Sequence, residues 1–362
     1  MKKYLYVFCI FILFSFFYYS RFDIRDIQYG LIYSVNVKVS GKSMEVIKIN
    51  GKFIDRKIYL KNNENLKFGM YNLLYVWENE KKGHVLSSKP GYFNRYRQYI
   101  IGVIDKSYEN YETKALAKAV IIGDKSELDK SLIKKFSYIG IMHLITISGL
   151  HIALIAGIIK DKYLSFIFIT IYSFLIGFSA SVRRVYLMKF LSFFGLNNSD
   201  VYIVSLLVLL LYNFSNIFDS GFVFTFMSVF VIIFIYPLIK ASNHSSYFKY
   251  IYFNLCIQIA LLPFNYYFSK NIPIFTFIAN LVMIPVFTLM IEMFFINFIL
   301  SLFGIYTFSF LVEKYYSLLI ELVKYISSLK YISIEIKEVN ISIFIGLILI
   351  SVYIFFGIWK EH

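Results

Sequence analysis

Apolar and polar positions divide the chain into three parts with different patterns. Residues 1–20 begin with a basic end and continue as an apolar run, residues 21–97 are polar with alternating apolar positions, and residues 98–362 return to long apolar stretches. The first part has the shape of a signal peptide, but no small-residue cleavage site follows it. We therefore predict an uncleaved N-terminal transmembrane anchor over residues 1–20.

The alternating pattern in residues 21–97 predicts β structure. Asn50-Gly51 is a dipeptide typical of a hairpin turn. Strands are expected over the segments 32–39, 46–50, 53–60, 66–77 and 83–87. Several short strands in so short a segment are typical of small barrels such as the OB-fold. This part is therefore predicted to be an extracytoplasmic, OB-like β domain.

Residues 98–137 carry too many charges to cross a bilayer, but apolar residues such as Ala115, Leu116, Ala119 and Val120 recur at helical spacing. This pattern predicts amphipathic helices that lie at the membrane interface, interrupted at Gly123-Asp124.

Residues 138–362 contain a series of apolar segments, several of them shorter than the roughly 20 residues that a full span requires. These segments cover residues 139–159, 164–178, 182–194, 201–214, 222–239, 250–268, 274–302, 306–320 and 341–358. With the anchor, they predict a polytopic α-helical membrane protein of about nine to ten membrane helices with a small N-terminal β domain. Short and broken helices favour a bundle around a wet interior.

Composition supports the membrane class, because 59% of the residues are hydrophobic, with 40 Phe and 32 Tyr. The two cysteines, Cys9 and Cys256, lie in apolar segments and are expected to pack as buried thiols. The formal net charge of +15 predicts anionic partners, and both membrane lipids and nucleic acid fit that description.

The predicted β domain is itself basic, since residues 21–97 contain fifteen Lys and Arg against seven Asp and Glu. Basic residues mixed with aromatic rings are what single-stranded nucleic acid binding needs. The candidate DNA-binding residues are Lys48, Lys52, Arg56, Lys57, Lys61, Tyr71 and Trp77. A solvated, lysine-rich surface is the alternative interpretation of the same residues.

The apolar segment 139–159 contains His143, Ser148, Gly149 and His151. Polar groups inside a membrane usually face protein, water or substrate. Ser148-Gly149 is expected to interrupt the helix, and the freed N–H groups favour an anion such as phosphate. Hydrogen bonding in helix packing is the alternative role for the histidines. Metal ligation is disfavoured, because His143 and His151 need not share a helix face.

Residues 117–128 and 140–152 resemble the signature of the competence domain in ComEC-type DNA-uptake channels. The distinctive element is Ser148-Gly-Leu-His151 with His143 five residues before the serine. Further landmarks follow in the family's order: Arg183-Arg184 with Met188, Asp200, Asp219-Ser-Gly221-Phe222, Gln258 with Pro263, and Asn280 with Pro285. Val185 departs from the family, whose helix usually has Ala there. The resemblance covers residues 115–285 well.

The resemblance implies an inner-membrane channel that carries single-stranded DNA into the bacterial cytoplasm during natural transformation. The residues it implies for the conduit are His143, Ser148, Gly149, His151, Arg183, Arg184, Asp219, Gly221, Gln258 and Asn280. Structural alternatives stand beside these roles. The arginines could anchor a helix end at the interface, Asp219 could cap a helix, and Gln258 and Asn280 could bond between helices.

Many family members continue into a metallo-β-lactamase-like domain thought to degrade one DNA strand. The histidines here are His84, His143, His151, His244 and His362, and they form no His-x-His-x-Asp-His cluster. Because a metal-dependent hydrolase needs convergent ligands, we expect no enzymatic activity, no metal and no cofactor. A separate nuclease, a DNA receptor and a cytoplasmic ATP-driven motor are the expected partners, since the chain has no phosphate-binding loop.

Three other functions stay open from the residues alone, and one of them is a structural or assembly role without transport. A transporter of a small anionic solute would also need broken helices and buried polar groups, but it does not account for a basic β domain. A membrane-embedded hydrolase could use Ser148 with a histidine as nucleophile and base. No Asp or Glu within the motif would orient that base.

Overall fold

The structure is a computed structural model that describes residues 21–22, 24–54, 58–79, 82–145, 159, 161–177, 180–212, 219–242, 245–273, 275–329 and 332–360. The anchor predicted over residues 1–20 and the predicted helix break at Ser148-Gly149 lie outside these described residues. The described part begins with a β-sheet and continues as a helical region.

Seven strands form the N-terminal sheet. They are β1 (Arg21–Phe22), β2 (Ile32–Ser40), β3 (Ser43–Ile49), β4 (Lys52–Ile54), β5 (Tyr59–Lys61), β6 (Gly69–Asn79) and β7 (Lys82–Pro90). Their spatial order is β1-β4-β3-β2-β6-β7, and β5 pairs with β3. All pairs are antiparallel except the pair of β1 with β4.

The hairpin turn predicted at Asn50-Gly51 is confirmed, because it joins β3 to β4 with φ values of 48° and 79° at these two residues. Two successive positive φ angles match the twist of an antiparallel pair. The single strand predicted over 53–60 is instead divided between β4 and β5, which both pair with β3. Among the described residues, the strands form an open path from β1 to β7, so the OB-like identity stays a prediction.

Alternation along the strands gives the sheet one apolar face. Val35, Val37 and Val39 of β2 are buried together with Leu73 and Trp77 of β6. The residues between them form the opposite face, which we call the outer face. The alternation expected from the sequence is therefore present.

Helices make up most of the remaining described chain. They are α1 (Asn94–Ser107), α2 (Tyr111–Ile121), α3 (Lys130–Ile139), α4 (Met142–Ile145), α5 (Lys162–Ile176), α6 (Ala180–Leu191), α7 (Asn198–Tyr212), α8 (Ser220–Ala241), α9 (Ser246–Phe268), α10 (Thr276–Leu302), α11 (Ser309–Ser328) and α12 (Ile341–Lys360). A π-helical turn, Val231–Ile235, lies inside α8. A two-stranded sheet of β8 (Asn271–Pro273) and β9 (Ser333–Glu335) lies beside α9.

Three helices, α8, α9 and α10, are long and apolar enough to cross a membrane by length and composition. Helices α5 and α7 and residues Ile341–Phe356 of α12 are apolar but shorter. The span predicted over 306–320 corresponds to α11, which runs on to Ser328 and carries Glu313, Lys314, Glu321 and Lys324. The larger number of membrane helices expected from the sequence stays a prediction.

The main helical core is built by α2, α3, α10 and α11. From Ala115 to Ile122 every residue of this segment is buried. This part of α2 therefore has no exposed face that could lie on the membrane surface, which is the location that the sequence predicted for the helices over residues 98–137. Helices α1 and α3 keep exposed residues, and for them the interfacial location stays a prediction.

Candidate functional site

A row of polar residues crosses the outer face of the sheet. Asn36 of β2 pairs with Lys48 of β3 on one side and with Asn72 of β6 on the other, and Asn72 pairs with Lys89 of β7. Residues paired in register point to the same face of a sheet. Asn36 also donates a side-chain hydrogen bond to Asn72. We call Lys48, Asn36, Asn72 and Lys89 the amide–lysine row.

The basic residues predicted to bind DNA are spread over three strands. Lys48 is half-buried on β3, whereas Lys52 and Lys61 are exposed on β4 and β5. Arg56 and Lys57 lie outside the described residues. Of this set, the structure brings Lys48 into the amide–lysine row.

The predicted aromatic residues lie toward the core of the sheet. Trp77 is only 3% exposed, and its ring meets the edges of Tyr33 and Tyr75 at centroid distances of 5.4 Å and 4.7 Å. Tyr71 is half-buried against the same core. Since base stacking needs an accessible ring face, Trp77 contributes to folding of the sheet in this conformation.

The sheet is joined to the helical part by cations at the C-terminus of α5. Lys38 Nζ of β2 donates to the main-chain oxygen of Ile176 at 3.0 Å. Arg97 of α1 donates to the main-chain oxygens of Leu175 and Phe174, the latter at 2.7 Å. The last carbonyls of a helix lack partners within the helix and carry its negative dipole end. Lys38 and Arg97 therefore act as a charged cap.

Asn94 reinforces this junction. Its Oδ1 accepts from the main-chain N–H of Met70 on β6 and from Arg97 Nη1, each at 2.7 Å. At the β2–β3 turn, a Cβ added to Gly41 would lie 3.1 Å from Ser126 Cβ, so this turn lies against the loop between α2 and α3. Two separate contacts thus hold the sheet on the helices.

Charges of both signs surround Lys38 at the junction. Burial lowers the pKa of Lys38, Glu45 and Asp124 act in the opposite direction, and the positive charges of Arg97 and Arg183 lower it further. Arg183, on α6, was predicted from the sequence to line the conduit. Its charge therefore lies within electrostatic range of the sheet's outer face.

Lys125, in the loop between α2 and α3, belongs to the same region. Burial and the charge of Lys38 lower the pKa of Lys125 to about 8. Lys38, Arg97, Lys125 and Arg183 come from four different segments of the chain, and we call them the junction cluster. The carboxylates of Glu45 and Asp124 act on the same region, so its charge is mixed.

Lys118 is buried within α2 and pairs with two carboxylates. Its Nζ lies 2.7 Å from Asp105 of α1 and 2.8 Å from Glu127 of the α2–α3 loop. Burial lowers the pKa of Lys118, but the hydrogen bonds and charges of the two carboxylates outweigh that effect and raise it. This triad fixes the loop that carries Lys125.

Arg184 of α6 is buried and points to α8. Its Nη1 donates to the main-chain oxygen of Thr225 at 3.1 Å, while its Nε has no hydrogen-bond partner among the described residues. Arg183 lies over the ring of Tyr212, 5.4 Å from its centroid. The two arginines thus contact different neighbours, α8 and α7.

Asp219 caps α8, because its Oδ1 accepts from the main-chain N–H of Phe222 at 2.8 Å. Gly221 lies close to this cap, since an added Cβ would be 3.1 Å from Asp219 Oδ1. Gln258 on α9 and Asn280 on α10 are half-buried, and Asn280 Oδ1 has no hydrogen-bond partner in the described part of the chain. The capping alternative for Asp219 matches this geometry.

The motif that carries the histidines is only partly described. His143 lies on the short helix α4, whereas Ser148, Gly149 and His151 lie outside the described residues. Gly140 ends α3 in the left-handed conformation with φ 83°, so the predicted segment 139–159 does not begin as one continuous helix. A Cβ at Gly140 would overlap Thr276 Cγ2, which shows how closely α3 approaches α10.

The helices that carry the predicted conduit residues contact one another in succession. Helix α6 contacts α8, α8 contacts α9, and α9 contacts α10. Helix α10 in turn contacts α2, which contacts α4. Across the described ranges, no group of three His, Cys, Asp or Glu residues is placed to hold a metal ion.

Several residues of this region were missed from the sequence. Lys118 had a visible signal, a lone lysine among buried apolar positions. Asn36, Asn72 and Lys89 could be recognised in the sequence only as polar positions of alternating strands. Their alignment in one row depends on the strand register. Lys38 is a polar position of the predicted strand 32–39, but its partner helix could not be inferred from spacing.

Comparison with known proteins gives two curated relatives and a family. ComE operon protein 3 of Bacillus subtilis (strain 168) is 26% identical over 198 residues, which cover 49% of this chain and 25% of that protein. The uncharacterized protein MG316 of Mycoplasma genitalium is 27% identical over 162 residues, which cover 41% of this chain and 42% of that protein. The chain thus matches less than half the length of either relative.

No solved structure matches the chain. The model of the family described as "Competence protein" matches residues 120–361, more than half of the chain and all of the helices from α3 onward. The ComEC-type resemblance inferred from the residues is therefore confirmed, and the chain belongs to the competence protein family.

Proposed function

We propose that this chain is a channel that carries single-stranded DNA across the inner membrane into the cytoplasm during natural transformation. The observation that carries this proposal is the junction, where Lys38 and Arg97 attach a sheet with a polar, basic outer face to the end of α5. A polyanion held on that face lies next to positive charge on the helical part. Competence family membership gives the biological setting, DNA uptake.

Helices α6 to α10 supply the polar groups that a conduit needs. Arg184 Nε and Asn280 Oδ1 are buried atoms without a hydrogen-bond partner among the described residues. Unpaired buried polar atoms are costly, so such atoms often mark a place where water or a ligand binds. Along a DNA path, Arg184 would contact phosphate and Asn280 would contact base or sugar groups.

The proposal includes the finer expectations from the sequence. These are an OB-like extracytoplasmic domain, more membrane helices than α8, α9 and α10, and transport without covalent chemistry by this chain. Single-stranded DNA and membrane lipids are the direct partners. A separate nuclease, a DNA receptor and a cytoplasmic ATP-driven motor complete the system.

The decisive experiment follows labelled DNA into the cytoplasm of cells with and without this chain. We expect deletion to stop cytoplasmic arrival while DNA binding at the cell surface continues. Complementation with Arg184→Ala should fail, whereas Arg95→Ala, an exposed arginine on α1, should restore uptake. Both variants must be present in the membrane at the wild-type level.

Cytoplasmic arrival that is unchanged by deletion would refute the channel. If Arg184→Ala restores uptake as fully as Arg95→Ala, the buried arginine has only a packing role and the conduit lies elsewhere in the bundle. A defect confined to uptake of small anions, with normal DNA transport, would favour the solute transporter.

A further inference from the structure

Helix α10 has two faces of different character along its length. One face packs into the main helical core and carries Met283, Phe287 and Met290. The opposite face is exposed, and its large apolar residues are Ile278, Val282, Leu289, Ile296 and Ile299. An exposed apolar stripe on a helix long enough to cross a membrane is a surface for lipid or for another membrane helix.

A single carboxylate interrupts this apolar stripe. Glu292 is the only charged residue of α10, and its side chain is exposed. It follows Leu289 by three residues and precedes Ile296 by four, so all three side chains lie on one side of the helix. We call this exposed stripe with its carboxylate the Glu292 face.

Glu292 lies at membrane depth wherever α10 is placed across a bilayer. Helix α10 has 27 residues, from Thr276 to Leu302. A span needs about 20 residues, and every window of that length within α10 includes Glu292. Leu289 is the midpoint of the helix, and Glu292 follows it by about 4.5 Å along the axis.

No cation among the described residues pairs with Glu292. Helix α10 contacts α1, α2, α9 and α11. Cations on three of these helices are engaged elsewhere, since Arg97 bonds to carbonyls of α5, Lys118 bonds to two other carboxylates, and Lys314 lies over an aromatic ring of its own helix. An ionisable group at membrane depth is costly without a partner, and it usually marks a site where one binds.

We propose that the Glu292 face binds a membrane helix of another protein, and that this helix carries a lysine or arginine at the depth of Glu292. An opposite charge within reach stabilises an ionised carboxylate away from water. The apolar residues on either side of Glu292 supply the surface on which the two helices pack. This inference requires that α10 crosses the bilayer, and it does not depend on the channel function.

The charge of Glu292 distinguishes this occupant from three others. A second copy of the chain, related by a parallel twofold axis at this face, would bring two Glu292 carboxylates together, and like charges repel. Residues 4–20 of the predicted anchor contain no charged side chain, so they offer no cation. Lipid tails alone would leave the carboxylate without a partner in hydrocarbon.

The test uses the full chain in lipid vesicles and a labelled synthetic transmembrane peptide as the probe. The peptide is an oligoleucine of about 20 residues with one lysine at its centre, and an oligoleucine of the same length without that lysine is the reference. Fluorescence energy transfer between chain and peptide measures binding. Glu292→Leu removes the carboxylate and keeps an apolar surface. Glu321→Leu, at an exposed glutamate of α11, is the control with the same change in net charge.

Polar contacts between membrane helices favour association by a factor of about 5 to 30 in model peptides. The wild type and Glu321→Leu should therefore bind the lysine peptide more tightly than the leucine peptide by this factor. Glu292→Leu should bind both peptides equally. Equal binding of the two peptides by the wild type would overturn the proposal, and so would a lysine preference that persists in Glu292→Leu.

Energy transfer between two differently labelled copies of the chain, without peptide, tests the second copy as occupant. Self-association that is lost in Glu292→Leu would assign this face to a second copy and overturn the proposal. The expected result is that any self-association is the same in the wild type and in Glu292→Leu. Because Glu292 is not one of the predicted conduit residues, failure of this inference leaves the channel proposal unchanged.

Discussion

Replacing Lys118 by methionine should reveal how strongly the buried triad holds α1, α2 and their following loop together. The Lys118 side chain is 4% exposed and pairs with Asp105 at 2.7 Å and Glu127 at 2.8 Å. Methionine keeps much of the volume and the unbranched shape but removes the charge. The two carboxylates then remain without their common partner.

The size of the expected loss in stability depends on how exposed the two carboxylates are to solvent. Removing one member of a fully buried ion pair destabilises a protein by about 3–5 kcal/mol. Here the side chains of Asp105 and Glu127 are 44% and 33% exposed, so solvent stabilises them after the ammonium is lost. We therefore expect Lys118→Met to lower the free energy of unfolding by roughly 2 kcal/mol.

Denaturant unfolding of the detergent-solubilised chain, followed by intrinsic fluorescence, measures this loss. Lys106→Met on α1 is the control, because Lys106 is exposed and its replacement should change stability by less than about 0.5 kcal/mol. Equal stabilities of the Lys118→Met and Lys106→Met variants would refute the reasoning.

The triad also predicts a pH dependence with a definite sign. The two carboxylates raise the pKa of Lys118 above its usual 10.5, despite the opposing effect of burial. A raised lysine pKa stabilises the folded state below the unfolded pKa, and this stabilisation is lost as pH rises through the folded pKa. The difference in stability between wild type and Lys118→Met should be present at neutral pH and shrink above pH 10.5. A stability difference between the two proteins that grows as the pH rises above neutral would contradict this prediction.

Three other substitutions test separate parts of the structure. Asp219→Ala should destabilise the chain by about 1 kcal/mol through loss of the α8 cap, whereas Asp219→Asn, which can still cap, should be nearly neutral in the same unfolding assay. Gly140→Ala should destabilise by more than about 1 kcal/mol, because it combines an unfavourable φ with overlap at Thr276, and adding Thr276→Ser should recover part of the loss. Trp77→Ala should destabilise the sheet by about 3–5 kcal/mol and appear as faster proteolysis within residues 21–97, an outcome not expected if the indole lay on the surface.

The strand alternation and the Asn50-Gly51 turn could be predicted because their causes are local. Alternating burial follows from the geometry of a strand, and the turn needs only two residues that tolerate positive φ. The helices from α5 to α12 are likewise visible as apolar segments, with most ends shifted by a few residues, whereas α11 extends to Ser328, well beyond the predicted segment 306–320. Capping residues such as Asp161 and Asp219 set several of those ends.

The functional details depended on contacts between distant parts of the chain. The sequence predicts Tyr71 and Trp77 as DNA-binding aromatic residues because lysines lie nearby, but alternation along β6 turns Trp77 into the core. The pairing of Asn36 with Lys48 requires a register shift in β2 and β3, which no local pattern indicates. Lys38 and Ile176 are far apart in sequence, and the enclosure of α2 arises from α10 and α11, which come much later in the chain.

The hydrogen bonds that attach the sheet to α5 are accepted by main-chain oxygens of α5 and donated by side chains of the N-terminal part. The two partners of these bonds therefore differ in how well they tolerate side-chain substitution. The carbonyls of Phe174, Leu175 and Ile176 are present whatever side chains these positions carry. This apolar helix can therefore exchange its side chains without losing the bonds that hold the sheet. The docking specificity lies on the opposite side, in two cations of the N-terminal part, Lys38 and Arg97.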